Sequence, residues 1–254
     1  MEWSEWRPIY EEAMSVLGLS VERDEEAAKA LDNLLRDRAL TLSELRIRLG
    51  GGAAIVFGEG ETLRRDLEGF LGARLLGYMA IVAVEGAVET ILEKGITPHI
   101  VVTRLGRGGE ALVEASRREA VTVIQAHGGN LEKLREIVPR LPGPLLGVTR
   151  AKPVGTVYSL GGFTGFDGAL YLLEALGFDT IALAGVGLGR EAGELERGEH
   201  AVALMILERF ASTFQGRLYN VSDEEVKGFR KVSFEELSRA VGNIYSRPWG
   251  FWRK

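Results

Sequence analysis

Residues 81–109, IVAVEGAVETILEKGITPHIVVTRLGRGG, limit what this chain can fold into more than any other stretch. Ile81, Val82, Ala83 and Val84 form a short, mostly β-branched run suited to a buried strand. Gly86 breaks it. Residues 87–94 then carry Val88, Ile91 and Leu92 at helical spacing, and Gly95 ends the helix where a left-handed residue is easiest. Pro98 lies just beyond and cannot continue it. Ile100, Val101 and Val102 make the next strand. So short a strand–helix–strand unit predicts parallel strands with a right-handed crossover. Ligands of such sheets bind at the carboxyl ends of strands, here Val84-Glu85-Gly86 and the segment from Thr103 to Gly108.

The same alternation extends through most of the chain. Strands are expected at 53–57, 120–126, 145–148, 180–186 and 217–221, with helices at 62–71, after Asn130, at 167–176 and at 199–214. This is an α/β pattern with a mostly parallel, Rossmann-like sheet and flanking helices. Residues 1–50 read instead as a helical N-terminal segment. Trp3, Trp6, Ile9, Tyr10, Met14 and Leu17 give one apolar face, and Ala27, Ala28, Leu31, Leu34 and Leu35 a second. Such a pair is expected to pack on the main domain or to form a dimer interface. Gly50-Gly51-Gly52 marks the boundary, so the expected units are 1–50, 51–222 and 223–254. Ser233 and Glu236 have the spacing of a capping box, and the tail ends in the aromatic run Trp249-Gly250-Phe251-Trp252.

Composition excludes several chemistries. The 254 residues contain no cysteine, which removes disulfides, thiolate catalysis and cysteine-bound metal clusters. A net charge of −5 provides no global field for nucleic acid. No apolar run approaches a membrane span, and the acidic, aromatic N-terminus is unlike a signal peptide, so a cytoplasmic location is expected. High charge with few amides fits a thermophile.

Four glycine-containing strand ends are candidates for chemistry. Gly58-Glu59-Gly60-Glu61-Thr62 is either a tight turn or a phosphate contact at a helix start. It lacks the third glycine of a dinucleotide fingerprint and the Gly-Lys-Ser/Thr of a Walker loop. His127-Gly128-Gly129-Asn130 offers an imidazole at a strand end, with Asn130 as a possible N-cap. In the segment Gly161 to Asp167, the carboxylate is either favoured by the helix dipole alone or a magnesium ligand. Gly185-Val186-Gly187-Leu188-Gly189-Arg190 is a further glycine loop, followed by a charged stretch to His200.

In order and spacing these loops resemble the archaeal 6-hydroxymethyl-7,8-dihydropterin pyrophosphokinases, whose core is similar to thiamin pyrophosphokinase. The family's G-x-G-P-S-L is matched by Gly58-Glu59-Gly60-Glu61-Thr62-Leu63, and its A-D-G-A by Val84-Glu85-Gly86-Ala87. The segment from Ile91 to Arg107 matches L-L-E-K-G-I-x-P-D-I-V-V-T-D-L-D-G, and Gln125 to Asn130 matches H-A-H-G-D-N. The segment from Gly161 to Ala169 matches G-G-F-T-D-G-D-R-A, and Gly185 to Gly189 matches G-M-D-x-G. The resemblance implies transfer of diphosphate from ATP to a pterin alcohol with Mg²⁺.

It also implies site residues. His127, Arg104 and Asp167 are then the catalytic candidates. Gly58, Gly60, Thr62, Gly86, Thr103, Arg107, Gly128, Asn130, Gly161, Gly162 and Thr164 are the expected contacts to ATP and pterin. Glu85 and Asp167 are the expected metal ligands. The departures from the pattern are systematic: Arg104, Gly106, Gly129, Gly165 and Gly187 stand where the family has acids. Phosphoryl transfer relies on neutralising charge, which guanidinium groups can also do. Magnesium is therefore expected to bind weakly or not at all without nucleotide. Two other readings stay open at this level. One is a binding protein on the same fold without turnover; the other is a different transferase using the Gly58–Gly60 turn.

Overall fold

The structure is a computed structural model that describes residues 1–187 and 194–242, with 194–197 described as helix backbone alone. The end of the Gly185 to Arg190 loop, the start of the charged stretch after it and the aromatic tail lie outside the described residues. In chain order the elements are α1 (Trp3–Val16), α2 (Val21–Leu35), α3 (Leu42–Leu49), β1 (Gly52–Phe57), α4 (Leu63–Gly72), β2 (Ala80–Val84) and α5 (Ala87–Glu93). They continue with β3 (Ile100–Thr103), α6 (Gly109–Arg117), β4 (Val121–Ala126), α7 (Leu131–Ile137), β5 (Leu145–Thr149), β6 (Val157–Tyr158) and α8 (Gly165–Ala175). The last are β7 (Phe178–Ala184), α9 (Glu194–Thr213), β8 (Arg217–Asn220), β9 (Arg230–Lys231) and α10 (Phe234–Gly242).

The strands form one sheet in the order β6-β5-β4-β3-β2-β1-β7-β8-β9, and every neighbouring pair is parallel. This is the α/β architecture the alternation predicts. The central strands are covered on both faces, so they read as continuous apolar runs rather than alternating ones. All five residues of β2 are buried, as are Ala53 to Phe57 of β1.

From β1 to β5 the chain steps one way across the sheet, and right-handed crossovers place α4, α5, α6 and α7 on one face. α8 then carries the chain back from β6 to β7 over the opposite face. Its Ala169, Leu170 and Leu173 pack there with Val56, Val82 and Val102 of the sheet. Strand order therefore reverses between β1 and β7, which is the topological switch point.

The N-terminal helices pack on this core from opposite sides. Trp6, Tyr10 and Met14 of α1 join the cluster under α8, whereas Ala27, Leu31 and Leu35 of α2 join the cluster under α4 to α7. α10 has the capping box its sequence announces: Glu236 accepts from the Ser233 amide at 2.8 Å, and Ser233 accepts from the Glu236 amide at 3.2 Å. Among the described residues no helix is long and apolar enough to cross a membrane.

Candidate active site

Because the sheet is parallel throughout, the loops after β1 to β7 all emerge at one edge. At the switch point itself the edge is closed. The Gly58 amide donates to the Ala184 carbonyl at 2.9 Å and the Gly60 amide to the Gly185 carbonyl at 2.8 Å. These two amides are therefore spent on the neighbouring strand end. The close approach also accounts for the glycine: a Cβ at Gly60 would lie 2.4 Å from the Val186 carbonyl oxygen. Buried Asp66 ties the loops together, accepting from the Gly185 amide at 2.9 Å, the Thr62 hydroxyl at 2.7 Å and the Ser222 hydroxyl at 3.1 Å. Thr62 thus serves Asp66.

The edge opens on the other side of β1. A cleft of about 350 Å³ lies between the β1, β2 and β3 loops, lined by Glu59, Gly60, Glu61, Arg64, Gly86 and Arg107 among others. Glu59 spans it. One carboxylate oxygen accepts from the Gly86 amide at 3.2 Å and the other lies 3.6 Å from the Arg107 guanidinium. Gly60, Gly86 and Arg107 of the expected contacts meet here, with Glu59 and Glu61 of the same Gly58–Thr62 turn; Arg64 joins them without having been expected.

Deeper along the edge the β2 and β3 loops interlock through Glu85. Its backbone is left-handed at φ 49, as is that of Leu105 at φ 61, uncommon values for side chains of this size. The strain places the Glu85 carboxylate against the Arg104 amide at 2.5 Å and the Thr103 hydroxyl at 3.1 Å. Burial raises its pKa, and the Arg104 amide and guanidinium partly offset this. Arg104 turns its guanidinium to Glu199 of α9, with both terminal nitrogens 3.1 Å from one carboxylate oxygen.

His127 and Asn130 follow on the β4 loop. Asn130 is buried and works as a clamp: its amide nitrogen donates to the Arg104 and Gln125 carbonyls at 2.9 Å, and its oxygen accepts from the His127 amide at 3.0 Å. The Gly129 amide donates to His127 Nδ1 at 3.2 Å, which leaves the ring proton on Nε2. Burial, and then Arg104, Arg150 and Lys133, push the imidazole down to about 2, so it is neutral at ordinary pH. Gly128 packs on α2, and its amide donates to Asp24 at 2.7 Å.

Asp24 belongs to a buried polar knot. It accepts from Arg150 Nε at 2.6 Å and Nη2 at 3.1 Å, and from the Tyr10 hydroxyl at 3.1 Å. The Trp6 indole donates to the Arg150 carbonyl at 2.7 Å. Both N-terminal helices are thereby anchored at the carboxyl ends of β4 and β5.

On the last loop, Gly161 and Gly162 are left-handed at φ 99 and 92. Asp167 is buried in the first turn of α8. It accepts from the Phe163 amide, from the Thr164 amide at 3.0 Å and from the Thr164 hydroxyl at 2.7 Å. Burial pushes it up to about 6 against these hydrogen bonds. Its two oxygens cap the helix, as the dipole alone favours. Thr164 is consumed in the same cap.

Most of the expected residues therefore fall into three groups along the edge. Gly60, Gly86 and Arg107 line the cleft, while Glu85, Thr103, Arg104, His127 and Asn130 form a hydrogen-bonded cluster beside it. Gly161, Gly162, Thr164 and Asp167 form the cap at the far end. The residues do not fit an all-protein magnesium site. Both oxygens of Glu85 and both of Asp167 are engaged internally, and no group of three or more His, Asp or Glu able to hold a metal occurs among the described residues.

Sequence reasoning missed Asp24, Asp66, Arg150 and Glu199. For Asp24 a signal existed: it lies three, four and seven residues before Ala27, Ala28 and Leu31, on the apolar face of α2. A carboxylate there must find a buried partner.

Residues 27–193 match the family model described as 6-hydroxymethylpterin diphosphokinase MptE-like. The chain is similar to the 6-hydroxymethyl-7,8-dihydropterin pyrophosphokinase of Methanothermobacter thermautotrophicus, 36% identical over 189 residues, 74% of this chain and 80% of the relative. It is 38% identical over 187 residues to the protein of the same name from Pyrococcus furiosus, covering 73% of this chain and 78% of that one. The counterpart from Methanocaldococcus jannaschii is 28% identical over 195 residues. Among solved structures, the MAf glycosyltransferase of Magnetospirillum magneticum superposes with a TM-score of 0.57 at 16% identity, covering 91% of this chain and 43% of that one. The chain thus spans less than half of that structure, and the likeness is one of fold alone. By the match of its family model and its identity to these relatives, the chain belongs to the 6-hydroxymethylpterin diphosphokinase MptE-like family.

Proposed function

We propose that the chain transfers the terminal diphosphate of ATP to the hydroxymethyl group of 6-hydroxymethyl-7,8-dihydropterin. The observation that carries this reading is the reach of the family match, 27–193, which takes in every strand-end loop from β1 to β6. In the reaction the alcohol oxygen bonds to the β-phosphorus, the bond from that phosphorus to the α–β bridging oxygen breaks, and AMP leaves. The alcohol proton passes to solvent.

The roles of the residues follow from their surroundings. Arg107 is 71% exposed at the cleft and free to turn from Glu59 to a phosphate. Arg104 sets a fixed positive charge beside His127 and Asp167. His127 is neutral with its proton on Nε2, so it donates a hydrogen bond to a phosphate oxygen rather than removing a proton. Glu85 and Asn130 hold the Arg104 backbone, Thr103 holds the Glu85 carboxylate and the Leu105 amide, and Asp167 with Thr164 holds the last loop. Gly58, Gly162 and Gly128 let backbones approach closely, and Gly161 leaves room for the Tyr171 ring. Glu85 positions Arg104 rather than holding a metal.

Residues 51–222 are the catalytic unit of this reaction, with 1–50 as a support. A cytoplasmic placement accords with the use of ATP and with a sequence free of cysteine. An archaeal, thermophilic source accords with composition and with the relatives' organisms. A homodimer would cover Val16 and Ile47, which are 73% and 81% exposed on α1 and α3. The test of the activity is release of AMP from ATP that depends on the pterin alcohol. ADP release, or none, would count against it.

A further inference from the structure

Two polar side chains at the carboxyl ends of β4 and β5 keep hydrogen-bonding capacity that the described protein does not use. Gln125 is 3% exposed; its Nε2 donates to the Gly162 carbonyl at 3.3 Å, and its Oε1 has no partner among the described residues. Arg150 is 2% exposed; Nε and Nη2 are taken by Asp24, and Nη1 has no partner there. Buried polar atoms of this kind are rare in folded proteins and call for an explanation.

The two groups are neighbours. Gln125 pairs with Val148 in the β4–β5 register, and Arg150 comes two residues after Val148. Gln125 shares its face with Val123 and Val148, the face that α8 covers, and Arg150, just past the end of β5, stacks on Phe163 of the same cluster. Both touch the same segment: Gln125 through the Gly162 carbonyl, and Arg150 through the Phe163 ring, whose centroid lies 4.1 Å from its guanidinium carbon. Tyr171, whose hydroxyl also lacks a partner among the described residues, packs beside Gly161.

The chemistry of the pair is selective. It presents one lone acceptor and one cationic donor next to an aromatic ring. A flat heterocycle with an N–H adjacent to a carbonyl on one edge satisfies both, and the lactam edge of a pterin has that pattern. We propose that Arg150 Nη1 and Gln125 Oε1 read the lactam carbonyl and N–H of the pterin acceptor, beneath the segment from Gly161 to Phe163. This rests on the proposed reaction and assigns its acceptor subsite to the β4–β6 end of the edge, with the phosphates at the β1–β3 cleft. The covering segment must lift to admit the ring, and the two consecutive left-handed glycines give it the backbone freedom to do so.

The test uses the full chain as Gln125→Met and Arg150→Lys. The first removes the acceptor at similar volume; the second keeps a cation for Asp24 but loses the fork. Binding of 6-hydroxymethylpterin is followed by its fluorescence, and KM is measured separately for the pterin alcohol and for ATP. The expected result is a rise of about tenfold or more in pterin Kd and KM in each variant, from loss of one buried hydrogen bond. The KM for ATP should stay within about twofold, a split that general loosening of the fold would not give. Unchanged pterin binding in Gln125→Met, with wild-type turnover intact, would overturn the assignment and mean that buried water alone serves these atoms. Wild type that binds the pterin but releases no AMP, with binding lost in the variants, would sink the reaction and keep the subsite. Wild type that neither binds nor turns over would overturn both.

Discussion

Removing Asp24 should be among the most damaging single changes in the protein, although it lies outside the cleft. Asp24 is 1% exposed and receives four hydrogen bonds, two from Arg150 and one each from Tyr10 and the Gly128 amide. Asp24→Ala leaves the Arg150 guanidinium buried and unpaired, which costs about 3–5 kcal/mol. The Gly128 amide and the Tyr10 hydroxyl lose an acceptor as well, adding about 1 kcal/mol each. The sum, about 5–7 kcal/mol, corresponds to a fall in Tm of about 10–25 °C for a domain of this size. Circular dichroism melting at fixed protein concentration measures it. An Asp24→Leu, Arg150→Met double variant should melt well above Asp24→Ala, because an apolar pair replaces a buried ion pair at little cost. A fall of under about 4 °C for Asp24→Ala, or a double variant no better than the single, would refute the reasoning that the knot locks the N-terminal helices to the site.

Three other outcomes follow from the geometry. His127 titrates near 2 when folded against 6.5 for an unperturbed imidazole, so its stabilising contribution is complete above pH 6.5 and is lost on acidification, about 3 kcal/mol by pH 4.5. Asp167 titrates near 6 against 3.8, so acidification from pH 6 relieves its burial and returns about 2 kcal/mol by pH 4.5. The two nearly cancel: urea melts of His127→Gln should show stability rising on acidification over this window relative to wild type, and an identical pH dependence would contradict the assignment. Gly60→Ala should destabilise by about 1–3 kcal/mol in the same assay, since the new Cβ meets the Val186 backbone 2.4 Å away and not a flexible side chain. Calorimetric titration with Mg²⁺ alone should give no saturable binding, because Glu85 and Asp167 have no oxygen to spare; tight binding to the free protein would show a metal site formed by other residues.

What the sequence discloses and what it conceals differ in kind. β1 to β5 and β7 are readable because strands buried on both faces must be largely apolar, and β8 shows the shorter signal of Leu218 and Tyr219 before Val221. β6 is two residues long and β9 is Arg230-Lys231, so neither has a hydrophobic run to announce it. β7 begins at Phe178, before the expected Thr180, because exposed Asp179 interrupts its apolar run. It stops at Ala184, short of the expected Val186, since Gly185 turns the backbone to φ 56. α6 carries Leu112, Val113 and Ala115 inward at helical spacing, yet the stronger strand signals on either side hide it. The edge loops are equally legible, since a glycine at a strand end marks a turn wherever it occurs. Hidden from the sequence is where their polar atoms point. Asp167 and Glu85 look like ligands in the one-dimensional pattern and are satisfied within the fold. Arg104 looks like a free cation and is paired with Glu199, 95 residues away.

The most direct measurement of the central claim is phosphorus NMR of the full chain mixed with ATP, magnesium and 6-hydroxymethyl-7,8-dihydropterin. Transfer of diphosphate predicts equal amounts of AMP and a pterin carrying two linked phosphates, with no resonance from ADP. ADP with a singly phosphorylated pterin, or ATP left intact while the pterin is bound, would contradict it.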